Sequence, residues 1–420
     1  MIKRIFISLF VLLFTTGAFC AEISVKPEDS LQTILDNAEA KDIVRLKPGL
    51  YAGNFTVTSS ITLIGGEGVT FDALGKGSAI TIKASNVTVE GLTIQNFGNS
   101  LYDWDSGILI TEGSESVTLR NLTITGPSFG IHADKTKNLL IEGCHIKGDK
   151  KIHVLDRGDG VFLKYVVDAV LRNNKVYFTR DGFYFEDCDR IQSYGNYFAG
   201  LQYGIHFMYD RDDSAWDNKA EAVRGGYAIM NSDRITLFNN TSSRTIEFGI
   251  LMNVTNGSKV YGNSVTKAVN PRGRPELDNE GKGLFIYGPG KNEVHGNSFA
   301  ESDIGVSVAM GGEGTLLWDN SFLDNRNQVR YVGNGGVEWS KDGKGNYWSN
   351  YQGWDLNEDG VGDTPYQPND SLDRLFWLYP EARFLMESPV VVLLRFLSSQ
   401  FELDRGKGVT DSHPLMHRPT

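Results

Sequence analysis

Seven asparagines, Asn174, Asn196, Asn218, Asn240, Asn263, Asn297 and Asn320, recur at steps of 22, 22, 22, 23, 34 and 23 residues. The same register runs back to Cys144, Leu122 and Leu92. Each marker sits in one local pattern, an apolar residue, two mixed residues, the marker and another apolar residue, as in LRNNKV, VYGNSV and LWDNSF. Repetition at a period of 20 to 50 residues means a stack of like units, because one unit alone cannot bury its apolar face. A second marker runs alongside. Glycines precede short alternations of apolar and polar residues, as in GVFLK, GFYFE, GIHFM and GYAIM, and strict alternation is the pattern of a strand with one buried face. Coils of about 22 residues, two or three strands per coil and almost no helical spacing predict a right-handed parallel β-helix over 22–342. Leucine-rich repeats would need a different consensus, and a propeller blade about twice the period.

Asparagines stacked once per coil can hydrogen-bond up and down a corner, so the ladder is read as structural. The long steps place extra residues in 97–106, 148–159 and 267–282, each just before a glycine strand. They should therefore leave the solenoid at one corner, and loops grown on one edge often flank a working face. Ser30 followed by Leu31, Ile34, Leu35 and Ala38 predicts a short helix covering the open N-terminal end.

The net charge of −11 argues against nucleic acid as a partner. Residues 1–21, with Lys3, Arg4, an apolar run and small residues, read as a secretory signal peptide and imply export. Cys144 and Cys188 lie too many coils apart to pair.

Alternation in GIHFM places His206 and Met208 on the outer wall. Equivalent counting places Met230 and Met252 one and two coils later, so a column of three methionines is expected with His206 at its base. Thioether and imidazole groups at strand spacing suit Cu(I). A soft docking strip and simple repeat drift are the alternatives. His132 and Asp134 occupy the same outward positions on an earlier coil and are candidates for a second polar site, against the reading of ordinary surface residues.

Beyond residue 342 the repeat gives way to an aromatic, acidic block (343–388). Asp355, Asn357, Asp359, Gly360 and Asp363 spell D-x-N-x-D-G-x-G-D, with the Val361 carbonyl at the seventh position. This is a calcium-like loop that lacks the closing glutamate, for which Asp370 or Asp373 is a candidate replacement. Residues 389–420 open with PVVVLLRFL, too short to span a bilayer. Val390, Leu393, Leu394, Phe396 and Leu397 are read as a docking element, and His413, Met416 and His417 as a minor soft-metal cluster.

The segments GIHFMYDRDD, GYAIM and FGILM, with the terminal block GNYWSNYQGWDLNEDGVGDTPYQPNDSLDRLFWLYP, resemble the NosD family. The resemblance covers nearly all of the chain after 1–21. It implies a non-enzymatic periplasmic accessory to copper–sulfur centre assembly in nitrous oxide reductase. It also implies work with an ABC transporter (a NosY-like membrane subunit and a NosF-like ATPase) and a NosL-like copper protein, the apolar tail docking on the transporter at the inner membrane. The rival readings are a polysaccharide lyase or hydrolase, for which Glu186, Lys164, Arg157, Asp159 and Asp181 supply only sparse candidates, and a sugar-binding module. The latter should carry an exposed aromatic ladder, whereas outward Phe162, Tyr184 and Phe285 are interrupted by His206, Ala228 and Ser307.

Overall fold

The computed structural model describes residues 20–272, 280–333, 335–369, 373, 377, 379–385, 388–400 and 408–419. The proposed signal segment up to residue 19, and Asp370, lie outside them. Each coil contributes one short strand to each of three parallel sheets. In the coil from 118 to 134, Thr118–Arg120 belongs to sheet I, Thr123–Thr125 to sheet II and Phe129–Asp134 to sheet III. Sheets I and II have 13 strands and sheet III has 12, each in strict coil order. The chain is thus a parallel β-solenoid of about 23 residues per turn. Alternation supplies the core: Ile131 and Ala133, Val161 and Leu163, Phe183 and Phe185, Ile205 and Phe207 all point inward and are fully buried.

The asparagine ladder fills the corner between sheets I and II. Asn196 illustrates the unit: its backbone N–H and its Nδ2 both donate to Asn218 Oδ1, at 3.0 and 2.9 Å, and Nδ2 also donates to the Leu171 carbonyl. The ladder runs on to Asn346, beyond the last marker read from the sequence. The left-handed backbone belongs to the residue before each marker, with Asn173, Asp217 and Asn239 at φ of 57°, 52° and 54°. Small polar side chains and glycine tolerate that region. Cys144 holds the ladder position below Asn174, whose Oδ1 accepts its N–H at 2.9 Å. Burial pushes its thiol up to about 12.

The three long segments all leave the corner between sheets II and III. At the N-terminal end, helix α1 (Leu31–Asn37) buries Leu31 and Leu35. Ser30 makes no cap bond to the backbone, its Oγ pairing with Thr33 Oγ1 instead. At the other end Tyr347–Trp348 still adds a strand to sheet II, so the stack outlasts the 342 boundary. The expected arm 389–420 is divided. Pro389–Gln400 forms helix α2, whereas Gly408–Thr410 pairs in parallel with Gly336–Glu338. Buried Asp411 accepts bonds from Asn346 N (2.7 Å) and Trp348 Nε1 (2.8 Å). The last residues are therefore part of the cap, because a buried carboxylate with several N–H donors fixes them there.

Candidate functional site

Sheet III carries the outward residues that the methionine pattern singles out. Met208 and Met230 are cross-strand partners on neighbouring strands, whose backbones lie about 4.8 Å apart. Met252 does not join them. It pairs with inward Ile229 and is 1% exposed, and Asn253 follows Met230 in the outer column. The cause is one extra residue in the turn at 244–247, where the N–H groups of both Ile246 and Glu247 donate to the Arg224 carbonyl. A one-residue shift moves a strand's side chains to the opposite face. The increment was visible as the 23-residue step from Asn240 to Asn263, and equal 22-residue counting passed over it.

His206 is outward as expected, but buried by its neighbours. Its ring lies 4.7 Å from Tyr184 and 5.3 Å, edge-on, from Tyr203. Nδ1 sits 3.0 Å from Asp181 Oδ2, while Nε2 is buried with no hydrogen-bond partner. Asp181 also accepts the Tyr203 N–H through Oδ1. One coil earlier, Asp159 takes a bidentate pair from Arg180 at 2.9 and 2.7 Å and accepts the Asp181 N–H. Burial pushes the Asp159 carboxyl up to about 6, against the pull of Arg180. A carboxylate on Nδ1 fixes a histidine as the tautomer whose Nε2 lone pair is free, the arrangement found behind metal-binding imidazoles. Met208, two residues on, shares the face, and its sulfur accepts from Asn231 Nδ2 at 3.8 Å. By ligand type thioethers and imidazole suit a soft monovalent ion; the two methionines are in register, while the His206 ring packs toward Tyr184, Tyr203 and Asp181.

His132 occupies the same outer column. It is stacked on Trp104 at 4.6 Å, with Nδ1 buried and unpartnered. Burial, reinforced by Lys164, lowers its pKa to about 4. Lys164 itself pairs with Glu186 at 2.7 Å. A neighbouring lysine opposes a cation at His132.

In the terminal loop, Asp355 accepts the N–H groups of Asp359 and Gly360, Asp359 that of Val361, and Asp363 that of Leu356. The acidic groups are thus turned onto their own backbone. Among the described residues no three His, Cys, Asp or Glu side chains are grouped so as to hold a metal ion. His413 Nδ1 pairs with Ser340 Oγ at 3.0 Å. On helix α2, Val390, Leu393, Leu394, Phe396 and Leu397 are all exposed, between 37% and 67%, while Val391 faces inward. Among the described residues no helix is long and apolar enough to cross a membrane.

A feature that the strand pattern contained, and the reading above missed, lies on sheet I. Tyr194, Trp216, Phe238, Tyr261, His295 and Trp318 form an unbroken ladder with centroids 4.4 to 5.5 Å apart and planes within 22° of parallel. Each stands two residues before an asparagine marker, which is the signal that could have found it. Arg172 bonds Tyr194 OH at one end and Lys341 sits over Trp318 at the other. The rings cover one another's faces and turn only edges outward, so the ladder offers no free face for a sugar ring.

The family described as "Periplasmic copper-binding protein (NosD)" matches residues 143–353. A "Probable ABC transporter binding protein NosD" from Stutzerimonas stutzeri is 37% identical over 93% of this chain and 90% of that protein. A protein of the same description from Pseudomonas aeruginosa is 39% identical over 89% and 88%. Among solved structures, a GH136 lacto-N-biosidase from Eubacterium ramulus aligns with a TM-score of 0.56 at 12% identity, covering 67% of this chain and 64% of that one. A polygalacturonase from Erwinia carotovora aligns with 0.51 at 16%, covering 66% and 92%. Those two share the solenoid, and fold alone carries no activity. By its match over most of its length to the curated relatives, this chain belongs to the NosD family of periplasmic copper-binding proteins.

Proposed function

We propose that the protein is a non-enzymatic periplasmic accessory that works with an ABC transporter in building the copper centres of nitrous oxide reductase. In this reading Met208, Met230 and His206 contact Cu(I) as cargo, with Asp181 orienting the imidazole. Helix α2 docks on a NosY-like membrane subunit driven by a NosF-like ATPase, which holds the protein at the inner membrane, and copper arrives from a NosL-like protein. The observation that carries the copper part is the register of Met208 with Met230 beside a histidine whose Nε2 has no partner. A competitive Cu(I) titration of the signal-free protein tests it. Met208→Leu with Met230→Leu should abolish stoichiometric binding with folding intact, and Met252→Leu should leave it unchanged. Equal binding by all variants would move the copper chemistry to the partners and leave the methionines as a docking strip.

The loop at 355–363 supports a second, structural proposal, a bound Ca²⁺. Asp355 Oδ1 and Asn357 Oδ1 both accept the Asp359 N–H, so the tight turn that brings these oxygens near one another is already formed.

A further inference from the structure

A cleft outside the copper reading runs over the outer face of sheet II, beneath the loop 148–159. Two adjoining cavities of about 350 and 410 Å³ share Thr125, Lys147 and Phe178. The short side chains of Thr123 and Thr125 form a low floor, and Tyr177 and Phe178 rise beside it as an aromatic wall. Lys147, Lys150 and Lys151 line the cleft and Lys175 is the cross-strand neighbour of its His145; all four are exposed, and none forms an ion pair among the described residues. Elsewhere on the solenoid many cations pair with a carboxylate on the next coil, as Arg190 does with Asp168 and Arg234 with Asp212, so four lysines without such a pair around one hollow concentrate positive charge in a chain of net charge −11.

The loop is held in shape before anything binds. Arg157 is 8% exposed and donates from Nε to the Ile152 carbonyl at 2.8 Å. It also donates from Nη2 to the Lys150 carbonyl at 3.2 Å and from Nη1 to the Gly200 carbonyl at 3.4 Å. Asp149 accepts the Lys151 N–H at 2.9 Å. A buried guanidinium thus ties the lysine-bearing turn to a coil farther along the stack, and preorganisation of this kind lowers the cost of binding.

We propose that this cleft is a docking site for an acidic peptide segment of a partner protein that carries one bulky apolar side chain. The lysines supply charge complementarity, which sets encounter rate and partner choice. The hollow between floor and aromatic wall accepts the apolar anchor, the usual centre of a protein interface. An acidic sugar chain fits less well. Vicinal hydroxyls are recognised by planar amides, carboxylates and guanidinium groups; the described lining holds one carboxylate, Asp149, and no amide or guanidinium side chain, and its other polar groups include threonine hydroxyls, His145 and ammonium groups. Strand addition is excluded here, because each of the strands beneath the cleft already has a neighbour on both sides.

The test is fluorescence anisotropy with the signal-free protein and a short fluorescein-labelled peptide of glutamates around one phenylalanine. Saturable binding should appear, weaken with salt, and fall by roughly tenfold or more in the double variant Lys147→Glu, Lys150→Glu, as expected for reversing two charges at a complementary rim. A peptide of glutamates alone should bind several-fold more weakly. Lys83→Glu, an exposed lysine elsewhere on the solenoid, should change nothing. No saturable binding, or equal binding by the double variant, would overturn the proposal. Tighter, Lys147-dependent binding of an oligogalacturonate would overturn it in favour of an acidic glycan.

Discussion

At the scale of single residues, the corner between sheets III and I holds two fully buried aspartates, Asp210 and Asp213. Asp210 accepts the N–H groups of Cys188 (2.6 Å) and Met208 (3.1 Å), one on each oxygen. Asp213 accepts the Ile191 N–H on Oδ1, and its Oδ2 is buried without a partner. Burial pushes both carboxyls well above the ordinary range, and of the two Asp213 has the fewer N–H donors to hold a charge. A carboxyl whose folded pKa is raised adds stability fully below its unfolded value. That contribution is lost as pH rises through the raised folded value. Two coils up the same place is taken by Ser258 and then by Asn292, whose Oδ1 accepts the Ser258 N–H and whose Nδ2 reaches the Thr255 carbonyl. Asp213→Asn should copy that arrangement, with Nδ2 reaching the Cys188 carbonyl. It should stabilise the neutral-pH protein by about 1–3 kcal/mol, the cost of an unmatched buried polar group, and flatten the decline in stability above the carboxylate range. Urea melts at several pH values would show this, and a destabilised variant with an unchanged pH slope would refute this account of Asp213.

The same scale shows what was legible. Inward and outward faces of His206, Met208 and Met230 follow from two-residue alternation, which is local and dense. Met252 was misplaced because its face depends on a single extra residue in a turn, which shows only as the 23-residue step from Asn240 to Asn263 and as a Met three rather than four residues after Gly249. Asp181 behind His206 was equally hidden, since the contact joins neighbouring coils through a side chain and requires the exact register. The sheet I ladder was present in the letters two places before each asparagine, but its meaning lay in the stacking direction.

At the scale of elements, the asparagine ladder is a one-way chain of bonds in which each Oδ1 accepts the N–H and Nδ2 of the asparagine one coil below. Removing Asn218 would strip the acceptor from Asn196 N and Nδ2 and the donor from the Ser193 and Asn240 oxygens. Asn218→Ala should therefore cost about 3 kcal/mol or more, given roughly 1–3 kcal/mol for each buried group left unmatched. Hydrogen exchange should rise mainly in the coils at 193–243, since solenoid coils contact only their neighbours. An even loss of protection along the whole stack would contradict this nearest-neighbour account. The loop at 355–363 allows a sharper test. If it takes Ca²⁺, millimolar calcium should raise the melting temperature by a few degrees, and Asp359→Ala should erase the rise while leaving the calcium-free midpoint nearly in place. An identical midpoint with calcium and with chelator would make the loop an acidic turn and nothing more.

At the scale of the whole molecule, a solenoid has two ends that must be closed, and the far end is closed by the chain's own last residues. Gly408–Thr410 adds to Gly336–Glu338, and Asp411 reaches under the final coil to Asn346 and to the indole of fully buried Trp348. Burial raises the Asp411 carboxyl to about 6 despite its four N–H donors. Its own contribution to stability is therefore largest in acid and is lost between the ordinary carboxylate value and about 6. At neutral pH the carboxylate is charged and held by those donors. Asp411→Ala would leave Asn346 N and Trp348 Nε1 buried without an acceptor and release the segment that carries them. The expected result is a loss of about 3–5 kcal/mol at neutral pH, a red shift of Trp348 emission, and exchange that starts at the final coils and fades toward 200. The sheet III site near His206 should keep its affinity, because many intact coils separate it from the loosened end. If the substitution instead abolished metal or peptide binding far from 411, the solenoid would be coupling its ends over long range, and the picture of independent, locally stabilised coils would have to be given up.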